Sequence, residues 1–246
     1  MLPLLWRNSR KTGAPRRFSS VEFLALYGGA GYAPFALVIA AFWTLVPGLL
    51  TAEEALLASN SKIAPSIAIF MDFDSNPDGA PMEIMKREAD ALLKPSGIRL
   101  DWRLASDNDG KKTFTGLMVL KFKGACRVEA GPPPEVDSAE LGEIFSLGST
   151  AVVNGRVLPF SVVECDRLRK ALALMSPSAS RLQRQNALGV ALGRIVAHEL
   201  YHVLARTTEH ASEGLAKACH SVRDLADPVA MTFENKDTGS IRSAVR

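Results

Sequence analysis

From Asn60 onward the chain switches repeatedly between two-residue and helical hydrophobic periods. "SIAIFMDF", Ser66 to Phe73, is rich in β-forming residues and is closed by the turn chemistry of "DSNPDG". "PMEIMKREADALLKPSG" then spaces Met82, Ile84, Met85, Ala89, Leu92 and Leu93 as a helix does, with Pro81 at its start and Pro95 to Gly97 at its stop. "IRLDWRLA" alternates like a half-buried strand, and "FTGLMVLKF" reads as another. "GPPPEVD" is a loop, because three prolines cannot be paired into a sheet. In "TAVVNGRVLPFSVV" the dipeptide Asn154-Gly155 separates two apolar runs, a strong hairpin signal. "RQNALGVALGRIVAHELYHVLA" is a long helix uninterrupted by proline. The order strand, helix, strand, strand, hairpin, long helix, without repeats, predicts an α+β fold.

Upstream the pattern changes. Phe23 to Ala52 contains no charged residue, and "PFALVIAAFWTLVPGLL" is its densest part. Arg7, Arg10, Lys11, Arg16 and Arg17 against Glu22 give the first 22 residues a net +4, which leaves −1 for the rest of a chain whose formal charge is +3. A basic leader before an apolar run is the pattern of an export or anchoring segment, with everything after about Glu53 outside the cytoplasm. Cleavage is left open, because Ala52 would suit the residue before a cut but Leu50 does not suit the position two before it. The predicted organisation is a leader and signal or anchor over 1–52, a linker over 53–65 and one domain over 66–246. The near-neutral charge of that domain leaves no basic stripe for a nucleic acid.

Export changes the meaning of the three cysteines, Cys126, Cys165 and Cys219, since an oxidising compartment permits a disulfide. Cys126 and Cys165 each follow a predicted strand, which favours that pair over the other two pairings or three free thiols.

All four histidines fall between Ala197 and Ser221, in "AHELYHVLARTTEHASEGLAKACHS". His198 and His202 are one helical turn apart and project from one face, while Glu199 lies to its side. Two neutral imidazoles on one face can hold zinc, and the carboxylate between them can take a proton from a water that the metal has acidified. Catalytic zinc requires a third protein ligand and an open position. His210 is the natural candidate, just past the point where β-branched Thr207 and Thr208 discourage the helix. Glu213, Glu234 and His220 are its rivals. An acidic cluster upstream, Asp72, Asp74, Asn76, Asp78 and Glu83, approximates a calcium loop, but Pro77 stands where the sharp turn needs glycine.

At these residues the sequence resembles the metzincin-like zinc metallopeptidases, in motif over Ala197 to His210 and in element order over Ser66 to His210. It departs from the pattern HExxHxxGxxH, because Ala205 replaces the glycine and His210 comes two positions late. The longer spacing, followed by "GLA", resembles a group of largely uncharacterised exported bacterial proteins. The resemblance implies a zincin-like mixed sheet, an antiparallel edge hairpin packed on a helix, a long HExxH helix, and a methionine beneath the metal for which Met231 is the candidate. It also implies hydrolysis of a peptide or protein substrate, with Glu199 as the general base, Zn2+ as the cofactor and His198, His202 and His210 as ligands. Tyr201 and His220 are candidates for a second oxyanion donor, and "VLPFSV" for the edge strand along which an extended peptide lies. Two other functions fit the same residues: an anchored, non-catalytic zinc domain, and a metal-dependent nuclease, which the charge of the domain disfavours.

Overall fold

The computed structural model describes residues 4–5, 65–108, 110–129 and 146–245. The leader apart from Leu4 and Leu5, the apolar run, the linker to residue 64 and the proline loop at 131–137 lie outside the described residues. Among the described residues no helix is long and apolar enough to cross a membrane.

The domain is built on a five-stranded mixed sheet. Its strands are β1 (Ser66–Phe73), β2 (Arg99–Leu104), β3 (Leu117–Lys123), β4 (Gly148–Val153) and β5 (Arg156–Glu164), in the order β2-β1-β3-β5-β4. β1 pairs in parallel with β2 and β3, and β3 with β5, while β4 alone runs antiparallel, against β5. The α+β class and the antiparallel hairpin expected from the sequence are thus present. Asn154 (φ 50°) and Gly155 (φ 75°) both adopt positive φ, as the tight turn of a two-residue hairpin requires.

One expectation is corrected. "VLPFSV" is not the outermost strand: from Phe160 to Glu164 β5 pairs with Val119 to Lys123 of β3, which encloses the second half of that segment and leaves β4 as the edge strand, while Val157 to Pro159 lie before the β3 ladder begins. Both arms of the hairpin are equally apolar, and only their pairing with β3 decides which one is outermost.

Alternation along the strands sends Ile67, Ile69, Met71, Leu100, Met118, Leu120, Phe122 and Val163 into one hydrophobic core. Helix α1 (Gly79–Leu93) and the long α3 (Arg181–Ala205) complete that core, with Met82, Met85, Ala89 and Leu93 from α1 and Leu188, Leu192, Ile195, Val196 and Leu200 from α3. Between them runs α2 (Cys165–Met175), which sequence periodicity did not reveal. α4 (Val222–Ala226) and α5 (Asn235–Val245) follow the site. Leu4–Leu5 pair antiparallel with the two-residue strand Cys219–His220.

Cys126 and Cys165 are disulfide-bonded with Cα atoms 5.1 Å apart, and Cys219 is free. The pairing follows from the sheet, because β3 and β5 are parallel neighbours in register up to Lys123 and Glu164, and each cysteine comes just past the end of its strand.

α3 is held in place by two glycines and a buried arginine. A Cβ on Gly189 would lie 2.5 Å from the Ile84 Cβ, and one on Gly193 would lie 2.5 Å from the Glu88 Cβ and 2.8 Å from the Met85 carbonyl. These positions let the backbones of α1 and α3 approach closely. Gly193→Ala is expected to destabilise the fold by about 1–3 kcal/mol despite the better helix propensity of alanine, because the obstacles, a Cβ and a backbone carbonyl, cannot swing aside. Chemical denaturation would read the change, and a gain in stability would contradict the packing. Arg194, 1% exposed, donates to Glu88 (2.9 Å) and to the carbonyls of Asp224 (2.7 Å), Leu225 (3.3 Å) and Val229 (2.8 Å). A buried guanidinium is tolerated only when its donors are met, and here the acceptors tie the chain after the site to the helix one turn before His198.

Candidate metal centre

Ser180 caps α3 through a reciprocal pair of hydrogen bonds with Gln183. The helix then runs straight to Ala205, placing His198 and His202 one turn apart in its buried last third. It ends where the two threonines predicted, with Arg206 in the left-handed conformation (φ 52°). The Thr207 N–H donates to the His202 carbonyl at 3.1 Å, and the Glu209 N–H to the Thr207 hydroxyl at 3.0 Å. This turn reverses the chain and brings half-buried His210 back over the helix. Its ring centroid lies 5.3 Å from that of His198 and 4.7 Å from that of His202. One ring nitrogen from each of His198, His202 and His210 falls within 4.8 Å of the others. Among the described residues these three predicted ligands form the cluster.

The backbone fixes which nitrogen each helical histidine presents. His198 Nδ1 lies 2.8 Å from the Leu215 carbonyl and His202 Nδ1 lies 2.9 Å from the Thr207 carbonyl. A carbonyl only accepts, so the tautomer that makes both hydrogen bonds carries its proton on Nδ1, which leaves Nε2 of each neutral ring as the lone-pair donor. Those two Nε2 atoms face each other at 3.1 Å. Without a cation that contact is repulsive. Two nitrogens on one tetrahedral zinc, each at about 2.0–2.1 Å, stand about 3.3 Å apart, so the donor set fits such an ion. Burial favours the neutral rings: it pushes His202 down to about 4, His198 well below its ordinary value, and His210 and His220 lower as well.

Glu199 is 1% exposed, and burial pushes its carboxyl up to about 8, opposed by a hydrogen bond from Thr150. The Thr150 hydroxyl donates to Glu199 Oε2 and lies 2.7 Å from the hydroxyl of Ser161, its cross-strand partner. Ser161 is buried, so the edge strand β4 and its neighbour β5 hold the carboxylate between them. A divalent cation at the histidines would draw the carboxyl back down, since a nearby positive charge favours the ionised form.

The rival ligands stand elsewhere. Glu213 is exposed, and Glu234 is half-buried and paired with Lys236 at 2.7 Å. His220 is buried, with Nε2 at 3.1 Å from the Leu215 carbonyl. Tyr201 is packed with its ring 5.4 Å from His202 and 5.8 Å from Phe233, and burial pushes its phenol up. Met231 is half-buried against the core. The acidic cluster upstream is divided: Asp72 and Asp74 share Lys121 at 3.0 and 2.7 Å, while Asp78 accepts from Gln185 at 2.7 Å.

The loop that supports His198 depends on Gly214. Its φ is +66°, and a Cβ there would come 2.8 Å from the Thr232 carbonyl. The same carbonyl accepts from the Leu215 N–H at 2.9 Å, and the Ala211 N–H donates to the Ala216 carbonyl at 2.9 Å. The "GLA" tripeptide is therefore the piece of backbone that presents the Leu215 carbonyl to His198. Sequence reasoning missed this role, as it missed Thr150, Ser161 and Arg194. No protein-family model matches the chain, and no curated protein matches it.

Proposed function

We propose that the chain is a zinc-dependent peptidase of zincin-like fold, acting on peptide or protein substrates outside the cytoplasm. The observation that carries the reading is the pair of histidines whose Nδ1 atoms stand against backbone carbonyls and whose Nε2 atoms face each other beside a third imidazole. Zinc, when bound there, supplies Lewis acidity that makes a water more acidic and a carbonyl more electrophilic. Glu199, held by Thr150, is the residue that would accept a proton from water and return it to the leaving amine. Among the described residues no strand pairs with the outer edge of β4, to which an extended peptide can add as a further strand. Thr150 links that edge to Glu199.

The location is supported by the basic leader with its uncharged run and by the disulfide, which persists in oxidising compartments. The ladder between Leu4–Leu5 and Cys219–His220 runs the other way, because an anchor at Phe23 to Ala52 would separate the two strands across the membrane.

The test is metal analysis of the purified full chain together with cleavage of casein and of a mixed-peptide pool, with and without chelator. Stoichiometric zinc and cleavage that is lost to chelator and restored by zinc are expected. A chain that binds no zinc would refute the reading, and zinc without turnover would favour the non-catalytic domain.

A further inference from the structure

His198 is aimed by a backbone carbonyl, and that carbonyl has a second donor. The Leu215 oxygen has two lone pairs; His198 Nδ1 approaches at 2.8 Å and His220 Nε2 at 3.1 Å. His220 is 4% exposed, and its ring stands nearly perpendicular to that of His198 with centroids 6.2 Å apart. We infer that His220 is a positioning residue of the metal centre, which fixes the His198 imidazole through the Leu215 carbonyl. The inference rests on the proposed metal-binding reading and gives His220 neither of the roles its sequence position suggested, ligand or oxyanion donor.

The physical reason lies in the freedom of an imidazole. Rotation about its sp³–sp² bond is soft, so the direction of Nε2 is set by what Nδ1 bonds. Here that acceptor is one peptide oxygen in a turn that begins at a left-handed glycine, Gly214. The Leu215 N–H is tied to Thr232, and the next carbonyl, of Ala216, is tied to Ala211. The remaining freedom is tilting of the Leu215 peptide plane, and the buried N–H of His220 opposes it by occupying the second lone pair. Removing that donor leaves a buried acceptor half-satisfied and His198 less well aimed. Outer-shell groups of this kind change metal affinity by about 10–100-fold.

Three proteins decide it: the full chain with His220 intact, His220→Phe, which keeps a planar ring but has no donor, and His220→Gln, whose amide N–H can reach the same carbonyl. Zinc affinity is measured by competition with a chromophoric chelator, with no substrate present. His220→Phe is expected to bind zinc about tenfold or more weakly while still reaching full stoichiometry at saturation, and His220→Gln to remain within about threefold of the parent. Unchanged affinity in His220→Phe would overturn the inference, as would equal weakening in both variants. Loss of stoichiometry at saturating zinc in both would also overturn it, by making His220 a ligand. Should the variants not fold, ring-nitrogen NMR of the parent chain suffices, since only a proton on His220 Nε2 can be donated to Leu215. A His220 protonated on Nδ1 alone overturns the inference. A parent chain that binds no zinc removes both this inference and the proposed function, whereas a zinc-binding parent with an unaffected His220→Phe removes this inference only.

Discussion

Glu199→Gln is expected to keep its zinc and to lose about two to four orders of magnitude in the rate of peptide hydrolysis, the contribution of a positioned general base. The substitution conserves shape and leaves the three imidazoles untouched. It also keeps a carbonyl oxygen that can accept from the Thr150 hydroxyl, so the buried contact between β4 and α3 survives. What disappears is the capacity to take a proton. Zinc content and turnover must therefore separate: metal analysis on the variant should match the parent while cleavage falls. Retained activity would sink the assignment of Glu199. Loss of zinc together with activity would mean that the carboxylate coordinates the metal or that the helix is disturbed, and a circular dichroism spectrum distinguishes those two outcomes.

Which parts of this molecule can be read from its residues follows from how local each signal is. β1 was legible to the residue because "SIAIFMDF" is bounded by turn chemistry, and the hairpin was legible because Asn154-Gly155 accepts the two positive φ values. α2 was not, although Leu168, Ala171 and Leu172 have helical spacing, because β5 passes into it from Glu164 to Cys165 with no turn residue between. α4 carries a capping box of Ser221 and Asp224 but is only five residues long. α5 is polar and contains Gly239, which weakens its helical signal.

In the site, the pair His198 and His202 was legible because one helical turn fixes their relation. Glu88, Thr150 and Ser161 stand at distances of 106, 49 and 11 residues from the groups they meet, and nothing local marks them. The carbonyls of Leu215 and Thr207 carry no side-chain signature at all. Gly214 was the one legible trace of that support, since a left-handed turn demands it, but its purpose shows only once the Leu215 oxygen is seen against His198.

The position of His210 is the least local ligand assignment, and His210→Ala is the change expected to weaken zinc binding most. Two imidazoles from one helix fill half of a tetrahedron, so the third protein ligand sets both affinity and geometry. The two residues by which this chain exceeds the usual spacing are absorbed in the turn: the helix ends at Ala205, Arg206 reverses the backbone, and Thr207 accepts from the Glu209 N–H before His210 returns. Among the described residues the rival ligands are otherwise disposed, because Glu213 is exposed, Glu234 is paired with Lys236, and His220 is engaged with Leu215. His210→Ala should therefore lower zinc affinity by more than the roughly 10–100-fold expected of an outer-shell change. Glu213→Gln should leave affinity unchanged. His210 is half-buried on a surface turn, so the loss should come with little change in the thermal unfolding of the metal-free chain, which separates a ligand from a folding residue. Parental zinc affinity in the His210 variant, with loss in the Glu213 variant, would transfer the third position to the carboxylate.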